Sequence, residues 1–432
     1  MGNMKDYQKL LTGFILGIIV GLICYYTLPI KTFPFMQWAV DIATLIGAIF
    51  LRLIFMAVIP LLTSALILGV FELSQGRALG KVAVQALVWT IVLSTIAVAI
   101  GLIGVNVVKP GVGTNFDIAA AEKQSIISIT QTAETLRGLR WYQYIVNLLP
   151  QNPIESAAKA LQGEIIAVMV FAAIFGWAVS IVIKEENHSF IQVMQAIFEA
   201  SMGVVKLALK MAPYAIFCIV FNTTYKMGAG FLKNLGVYAA VVVVGLAIQL
   251  FVVYPFFLKV FAKKSPGEFF RGAKEPMLYA FSTSSSNATL PISLKAAEEE
   301  LKLPPHIARF ILTIGATANQ NGTALFEGVT ILFLAQVYGV DLSLSTQLLV
   351  MFAAILAGVG TAGVPAGSLP VIAALLAQVG VPPEGIGLIL GIDRFLDMCR
   401  TTLNVTGDLV IAELVTTSSG ERGIPTVSTT QS

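Results

Sequence analysis

Five polar residues near the end of the sequence can bind a charged small molecule. Asp393, Asp397, Arg400, Asn404 and Asp408 follow one another at spacings of four, three, four and four residues. These spacings place all five on one face of an α-helix. Arg400 can bind a carboxylate through two parallel hydrogen bonds, and Asp397 can accept hydrogen bonds from an ammonium group. This face is therefore a candidate binding site.

The segment around these residues is otherwise apolar, as in a helix that crosses a membrane. Ionisable side chains inside such a helix are costly and usually face a cavity or an ionic partner. The alternative interpretation is an ion pair between Asp397 and Arg400 that only holds helices together. Because Asn404 and Asp408 continue the same polar face, the sequence favours a binding site.

The composition is that of an integral membrane protein. Hydrophobic residues make up 56% and charged residues only 12% of the 432-residue sequence, whereas soluble domains carry about 25% charged residues. A helix needs about 20 apolar residues to cross the hydrocarbon core. Runs of this kind occur at 10–30, 53–71, 82–108, 165–183 and 234–258. The net charge of +3 includes no dense basic segment, so nucleic acid is not expected as a partner.

The positions of lysine and arginine predict the orientation of the chain. Lys5 and Lys9 precede the first apolar run, and five basic residues between positions 259 and 274 follow the run at 234–258. The positive-inside rule places both groups on the cytoplasmic side. We therefore expect a multi-pass protein of the cell's inner or plasma membrane, in contact with lipid and with a cytoplasmic amino terminus.

The first half of the chain predicts ordinary spans. They lie at about 7–30, 38–72, 78–108 and 190–226, with a broken segment at 141–186. The polar stretch 110–140 is expected to be a solvent-side loop that runs into aromatic residues at the membrane interface. A structureless linker is the alternative for 111–131.

The second half is interrupted by polar and glycine-rich breaks at 282–291, 319–323 and 358–367. Such breaks survive in a membrane only where they are buried in protein or line a wet cavity. The first and third breaks predict two re-entrant helical hairpins, which alternate with a broken helix at 304–340 and a last helix at about 384–415. This repeat places a binding site between the hairpin tips. The fold class is therefore all-α and polytopic, with about eight transmembrane helices and two re-entrant hairpins.

Four motifs in this half resemble the glutamate transporter family, the dicarboxylate or amino acid:cation symporters. They are the serine run that ends in Ala-Thr-Leu-Pro at 288–291, Asn-Gln-Asn-Gly-Thr at 319–323, Gly-Thr-Ala-Gly-Val-Pro at 360–365, and the pattern from Asp397 to Asp408. The resemblance extends over nearly the whole chain and is most specific from about 265 to 415.

The resemblance implies a homotrimer that works as an elevator with inverted repeats. Its scaffold would comprise spans 1 and 2 (1–77) and spans 4 and 5 (109–226). The mobile transport domain would comprise span 3 (78–108) and the region 227–415, with the second hairpin as its gate. A tail at 416–432, rich in serine, threonine and glycine, is expected to be disordered.

The resemblance also implies a site for an acidic amino acid. Arg400 with Thr323 would bind the side-chain carboxylate, and Asp397 would bind the amino group. Family members that carry C4-dicarboxylates lack the aspartate, and carriers of neutral amino acids lack the arginine, so the pair favours aspartate or glutamate. The full implied set is Ser285, Ser286, Thr323, Val364, Asp397, Arg400, Thr401 and Asn404, with Asn404 and the Ser285–Ser286 backbone on the α-carboxylate.

One arginine of the family is missing. Relatives place it either in the first hairpin, where this chain has Ser284, or in the last helix, where it has Met398. Arg394 lies one turn away, but helical spacing directs it about 100 degrees from Asp393. We expect Arg394 to reach a lipid or scaffold interface.

Cation sites follow from the same resemblance. The first sodium site would use Asp408 with carbonyls near Gly315, Asn319 and Asn404, since hard oxygen ligands suit a hard cation. The second would use backbone near Thr317, Gly358 and Thr361, and Gln320 replaces a methionine there. The third falls on Thr90, Leu93, Ser94, Asn319 and Asn321. Because it loses a carboxylate at Asn321 and a hydroxyl at Leu93, we expect it not to bind sodium.

Glu327 is a candidate for proton coupling. It lies on the same predicted helix face as Asn319 and Thr323, within an apolar run. An ionised carboxylate is costly there, so the side chain can take up and release a proton. Animal relatives carry a glutamate at this position that is tied to proton coupling. The alternative is a permanently neutral, hydrogen-bonded carboxyl.

The sequence thus predicts a symporter of acidic amino acids that is driven by H+ and/or Na+, with the coupling shifted toward protons, and that needs no cofactor. A sodium-coupled carrier of C4-dicarboxylates or other amino acids is one alternative, an anion channel is another, and a receptor or structural trimer a third. An enzyme is not expected, because the candidate pairs of Ser285 or Ser286 with His188 or His306 combine a membrane break with span ends.

Overall fold

The computed structural model describes residues 6–29, 33–75, 80–113, 146, 149–160, 164–183, 185, 188–360 and 367–419. Within these ranges every regular element is a helix. The first half contains α1 (Asp6–Thr27), α2 (Phe35–Gln75), α3 (Gly80–Val108), α4 (Pro153–Ala158), α5 (Ile165–Val182) and α6 (Ser189–Met227).

The second half is built from shorter helices. Its α-helices are α7 (Ala229–Ile248), α8 (Tyr254–Val260), α9 (Pro266–Thr283), α10 (Ser286–Lys295), α11 (Pro305–Ala318), α12 (Asn321–Val337), α13 (Leu344–Gly360), α14 (Leu369–Gln378) and α15 (Leu390–Ser419). A π-helical turn (Gln249–Val253) joins α7 to α8 without a break in the chain direction, and another (Ala296–Glu300) follows α10.

Among the described residues, five segments are long and apolar enough to cross a membrane. They are Phe35–Phe71, Val82–Val108, Ile165–Val182, Ser189–Ala208 and Leu232–Val260. Large apolar side chains such as Trp38, Trp177 and Phe251 are exposed on these helices. Helices of this length can cross the hydrocarbon core, and their backbone groups are hydrogen-bonded within the helix, as lipid requires. Apolar side chains exposed on their outer surface are therefore compatible with contact to lipid.

The helices pack in two sets. In the first set, α6 packs along both α1 and α2, and α5 packs against α2. In the second set, α12 packs against α3, and α15 packs against α9, α11 and α12. The arms of the second hairpin, α13 and α14, also contact α2 and so bridge the two sets.

The predicted breaks are present as pairs of short helices. The chain reverses between α9 and α10, α11 and α12 are separated at residues 319–320, and α13 and α14 flank the third break. The last α-helix begins at Leu390 instead of 384, because a 3-10 turn (Pro383–Leu388) with two glycines precedes it. It continues to Ser419, four residues into the segment expected to be disordered. Most of the polar stretch 110–140 lies outside the described residues.

Candidate functional site

The ionisable face of α15, which carries Asp393, Asp397, Arg400, Asn404 and Asp408, is buried. Arg400 forms ion pairs with both Asp393 and Asp397. Arg400 Nε donates to Asp397 Oδ1 at 2.9 Å, and Arg400 Nη1 lies 3.6 Å from Asp393 Oδ1. Thr401 Oγ1 also donates to Asp397 Oδ1, at 3.4 Å. Only 2% of Arg400 and 4% of Asp397 is exposed. The ion pair of the alternative interpretation therefore forms, and it holds the guanidinium in a defined position within the site.

Arg394 corrects one expectation from the sequence. Its Nη1 atom lies 3.7 Å from Asp397 Oδ2, and 26% of its side chain is exposed. The residue therefore contacts a carboxylate of the candidate site, which the expectation of a lipid or scaffold contact did not include. The physical reason is the i,i+3 spacing, which brings residues 394 and 397 together on the helix surface.

Asn404 joins α15 to the break between α11 and α12. Its Oδ1 accepts a hydrogen bond from the Gly322 backbone N at 2.7 Å. Its Nδ2 donates to Gln320 Oε1 at 2.5 Å and to Thr323 Oγ1 at 3.0 Å. Glycine is needed here, since a Cβ on Gly322 would lie 2.7 Å from the Arg400 carbonyl O. The predicted site residues Thr323, Arg400 and Asn404 are thus brought together.

The tip of the first hairpin is a tight serine turn. Ser284 adopts a left-handed conformation (φ 52°) and ends α9. Ser285 then caps α10, with its Oγ accepting from the Ala288 backbone N at 3.2 Å. α10 begins at Ser286, which is buried, and α9 and α10 both pack on α15. The start of α10 offers backbone N–H groups that favour an anionic group.

Only part of the second hairpin lies within the described residues. Thr361 and Val364, predicted for the second cation site and the substrate cage, lie outside the described residues. Gly358 is near the end of α13, where an added Cβ would lie 3.6 Å from the Gln320 Cβ. Thr317 belongs to α11. The structure therefore places Gly358 against the break, next to Gln320.

Asp408 is buried against α11. Asn319 Nδ2 donates to Asp408 Oδ1 at 2.7 Å, and a Cβ on Gly315 would collide with the Asp408 carboxylate. Gly315, Asn319, Asp408 and Thr90 line a common cavity. The described residues contain no group of three or more His, Cys, Asp or Glu that could hold a metal ion. A cation here would therefore rely on carboxylate, amide and backbone oxygens, which suit sodium.

Two residues of the predicted third cation site, Ser94 and Asn321, belong to a neutral hydrogen-bonded cluster, whereas Thr90 and Asn319 lie beside Asp408. Ser94 Oγ donates to Asn321 Oδ1 at 2.5 Å, and Asn321 Nδ2 donates to Tyr254 Oη at 3.1 Å. Tyr254 Oη donates in turn to the Leu403 carbonyl at 3.3 Å. The nearby Leu93 carbonyl accepts from Gln249 Nε2 at 3.1 Å. None of the residues named in this cluster carries a carboxylate that would balance the charge of a bound cation.

Glu327 is fully buried on α12. Neither of its carboxyl oxygens has a hydrogen-bond partner among the residues that the structure describes. The preceding residue, Phe326, has its ring 4.4 Å from the Arg400 guanidinium carbon. A buried carboxyl without a partner is destabilising when ionised, so this position favours a neutral carboxyl next to the charged face of α15.

Three contacting residues had not been identified from the sequence. Gln249 lies in the π-helical turn and Tyr254 begins α8, and a glutamine and a tyrosine within the apolar run 234–258 are weak signals. Glu413 is fully buried on α15 and lies 3.6 Å from Lys264 Nζ. Its spacing of five residues from Asp408 takes it off the ionisable face, which is why the periodicity did not include it.

The fold and the site define an α-helical, multi-pass membrane protein whose discontinuous helices converge on a buried set of charged residues. A model of the Sodium:dicarboxylate symporter family matches residues 7–418, and the chain belongs to this family.

Named relatives align along nearly the whole chain. The "Proton/sodium-glutamate symport protein" of Bacillus subtilis (strain 168) is 33% identical over 412 residues, which cover 95% of this chain and 92% of that protein. The "Proton/glutamate-aspartate symporter" of Escherichia coli (strain K12) is 29% identical over 420 residues, covering 94% and 92%. The "Excitatory amino acid transporter 3" of Mus musculus is 27% identical over 441 residues, covering 91% and 82%.

Proposed function

We propose that this protein is a symporter that carries aspartate or glutamate across the cell membrane. The observation that carries the proposal is the meeting of Asp397, Arg400 and Asn404 with Thr323 at the break of a discontinuous helix. A dicarboxylic amino acid presents one ammonium and two carboxylates. The site offers a carboxylate for the first and a guanidinium, an amide and hydroxyls for the others.

Each substrate group has a proposed partner. The ammonium binds Asp397, and the side-chain carboxylate binds Arg400 and Thr323. The α-carboxylate binds Asn404 and the backbone N–H groups at the start of α10, from Ser285 to Ser286. Thr401 and Val364 complete the cage. The names of the relatives, which include glutamate and aspartate, support the same substrate class.

Ligand-dependent stabilisation of the purified protein tests the substrate proposal. We expect L-aspartate or L-glutamate to raise the thermal unfolding temperature and the Arg400→Ala variant to lose this response, because binding to the folded state alone stabilises it. Arg309→Ala is the matched control, since Arg309 is an exposed arginine paired with Glu298 at 2.8 Å. Stabilisation of the wild type by succinate but by neither amino acid would favour the C4-dicarboxylate alternative.

We propose that the two helix sets act as the two parts of an elevator. The packing of α1, α2, α5 and α6 on one another supports a scaffold, and the packing of α3 and α7 to α15 supports a transport domain. The scaffold would form a homotrimer in the lipid bilayer, with the amino terminus in the cytoplasm. Chemical cross-linking in membranes is expected to give a trimer, and a monomer under all conditions would contradict this part.

We propose that coupling depends on protons more than in sodium-driven relatives. Asp408 with Gly315 and Asn319 supplies one sodium site, and the backbone near Thr317, Gly358 and Thr361 supplies a second. The neutral cluster around Asn321 supports the loss of a third. Glu327, buried without a described hydrogen-bond partner, would carry the proton.

Substrate flux that saturates with concentration is expected of a symporter, whereas non-saturating flux would favour an anion channel.

A further inference from the structure

Asp397 lies between two arginines of its own helix. Arg400 Nε is 2.9 Å from its Oδ1 atom, and Arg394 Nη1 is 3.7 Å from its Oδ2 atom. The two guanidiniums therefore approach different oxygens of one carboxylate. Arg400 is 3% exposed through its side chain, whereas Arg394 is 26% exposed. Arg394 is thus the arginine on the open side of the group.

The charge balance of this group depends on Arg394. Asp393 and Asp397 contribute two carboxylates, and Arg400 contacts both of them. With Arg400 alone, the group would carry an excess of one negative charge and would repel an acidic substrate. Arg394 offsets that excess. Electrostatic interactions are strong in a site removed from bulk water, so one charge more or less changes affinity and selectivity.

We propose that Arg394 is a specificity-determining residue of the substrate site. Its guanidinium is the second counter-ion of Asp397, and it sets the charge of the site so that a substrate of net charge −1 is accepted. A substrate ammonium bound to Asp397 lies close to the Arg394 guanidinium, and the repulsion between the two positive charges weakens its binding. A ligand that carries an additional carboxylate in place of the ammonium is attracted to the guanidinium. Arg394 therefore moves the selectivity of the site from amino acids toward more negatively charged ligands. This inference rests on the proposed acidic amino-acid function.

The test measures binding to the purified, full-length protein. Radiolabelled L-aspartate gives one dissociation constant, and its displacement by succinate gives another. In Arg394→Gln we expect succinate to bind about 30-fold more weakly, and L-aspartate at most about tenfold more weakly, because the amino acid also gains from the loss of repulsion. Arg394→Lys, which keeps the charge, is expected to restore both constants to within about threefold. Arg309→Gln serves as the control for loss of an arginine elsewhere.

The outcomes separate the inference from the proposed function. An unchanged ratio of the succinate and L-aspartate constants in Arg394→Gln overturns the inference while the wild type still binds L-aspartate. An equal loss of both ligands that lysine does not restore also overturns it, because that pattern indicates a structural role. A wild type that binds no acidic amino acid contradicts the proposed function and the inference with it.

Discussion

Gly322 provides a sharp test of how the broken helix meets the last helix. A Cβ at this position would lie 2.7 Å from the Arg400 carbonyl O, 3.1 Å from the Arg400 Cα and 3.1 Å from Asn404 Oδ1. Two of these three atoms are backbone, which cannot rotate away. In Gly322→Ala the two helices must therefore move apart, and the Asn404 hydrogen bond to the Gly322 N, 2.7 Å long, is stretched.

Overpacking of a buried contact costs about 1–3 kcal/mol. We expect Gly322→Ala to lower the thermal unfolding temperature and to weaken L-aspartate binding at least about tenfold, because displacement of Arg400 and Asn404 moves groups that must contact the substrate together. Calorimetry on the purified protein measures both quantities.

Gly203→Ala is the matched control for this prediction. Gly203 lies within α6, and a Cβ there would meet no atom within 4 Å. Alanine at an open helical position is expected to leave stability unchanged or raise it by up to about 1 kcal/mol. If Gly322→Ala binds and unfolds like the control, the close approach of α12 and α15 at this residue is refuted.

Three further predictions follow from buried polar groups. Asn321→Asp places a carboxylate in the neutral cluster and is expected to increase the sodium dependence of L-aspartate binding, which a sodium titration measures; an unchanged titration would contradict the account of the third site. Glu327→Gln keeps the shape but removes the titrating group, so uptake is expected to lose its dependence on external pH, and a wild-type pH profile would exclude Glu327 as the proton carrier. Lys264→Met is expected to lower the unfolding temperature by several degrees without changing substrate affinity, because buried Glu413 loses the ammonium at 3.6 Å; Lys263→Met, at an exposed position, is the control.

Much of the helical architecture could be predicted from the sequence because the hydrocarbon core allows few backbone structures. Apolar runs of spanning length, and breaks that hydrocarbon would not tolerate, predict continuous and discontinuous helices. The ionisable face of α15 follows from spacing alone, since residues 393, 397, 400, 404 and 408 lie within one helix. The structure buries all five of these residues.

The partners of those residues could not be predicted in the same way. The hydrogen bond from Asn321 to Tyr254 joins residues 67 positions apart, and that between Ser94 and Asn321 joins residues 227 apart. Such contacts depend on how helices pack, which periodicity within one helix does not contain. Arg394 shows the same difficulty at short range. Its angle to Asp393 on the helix does not predict its contact, which its i,i+3 relation to Asp397 determines.

Uptake into proteoliposomes distinguishes proton-coupled from sodium-coupled symport of an acidic amino acid. The reconstituted protein is given radiolabelled L-aspartate or L-glutamate under an inwardly directed proton gradient, with sodium absent on both sides. We expect concentrative uptake that collapses when a protonophore removes the gradient. No uptake under these conditions, together with full uptake under a sodium gradient alone, would contradict the proton-coupled symport proposed for this protein.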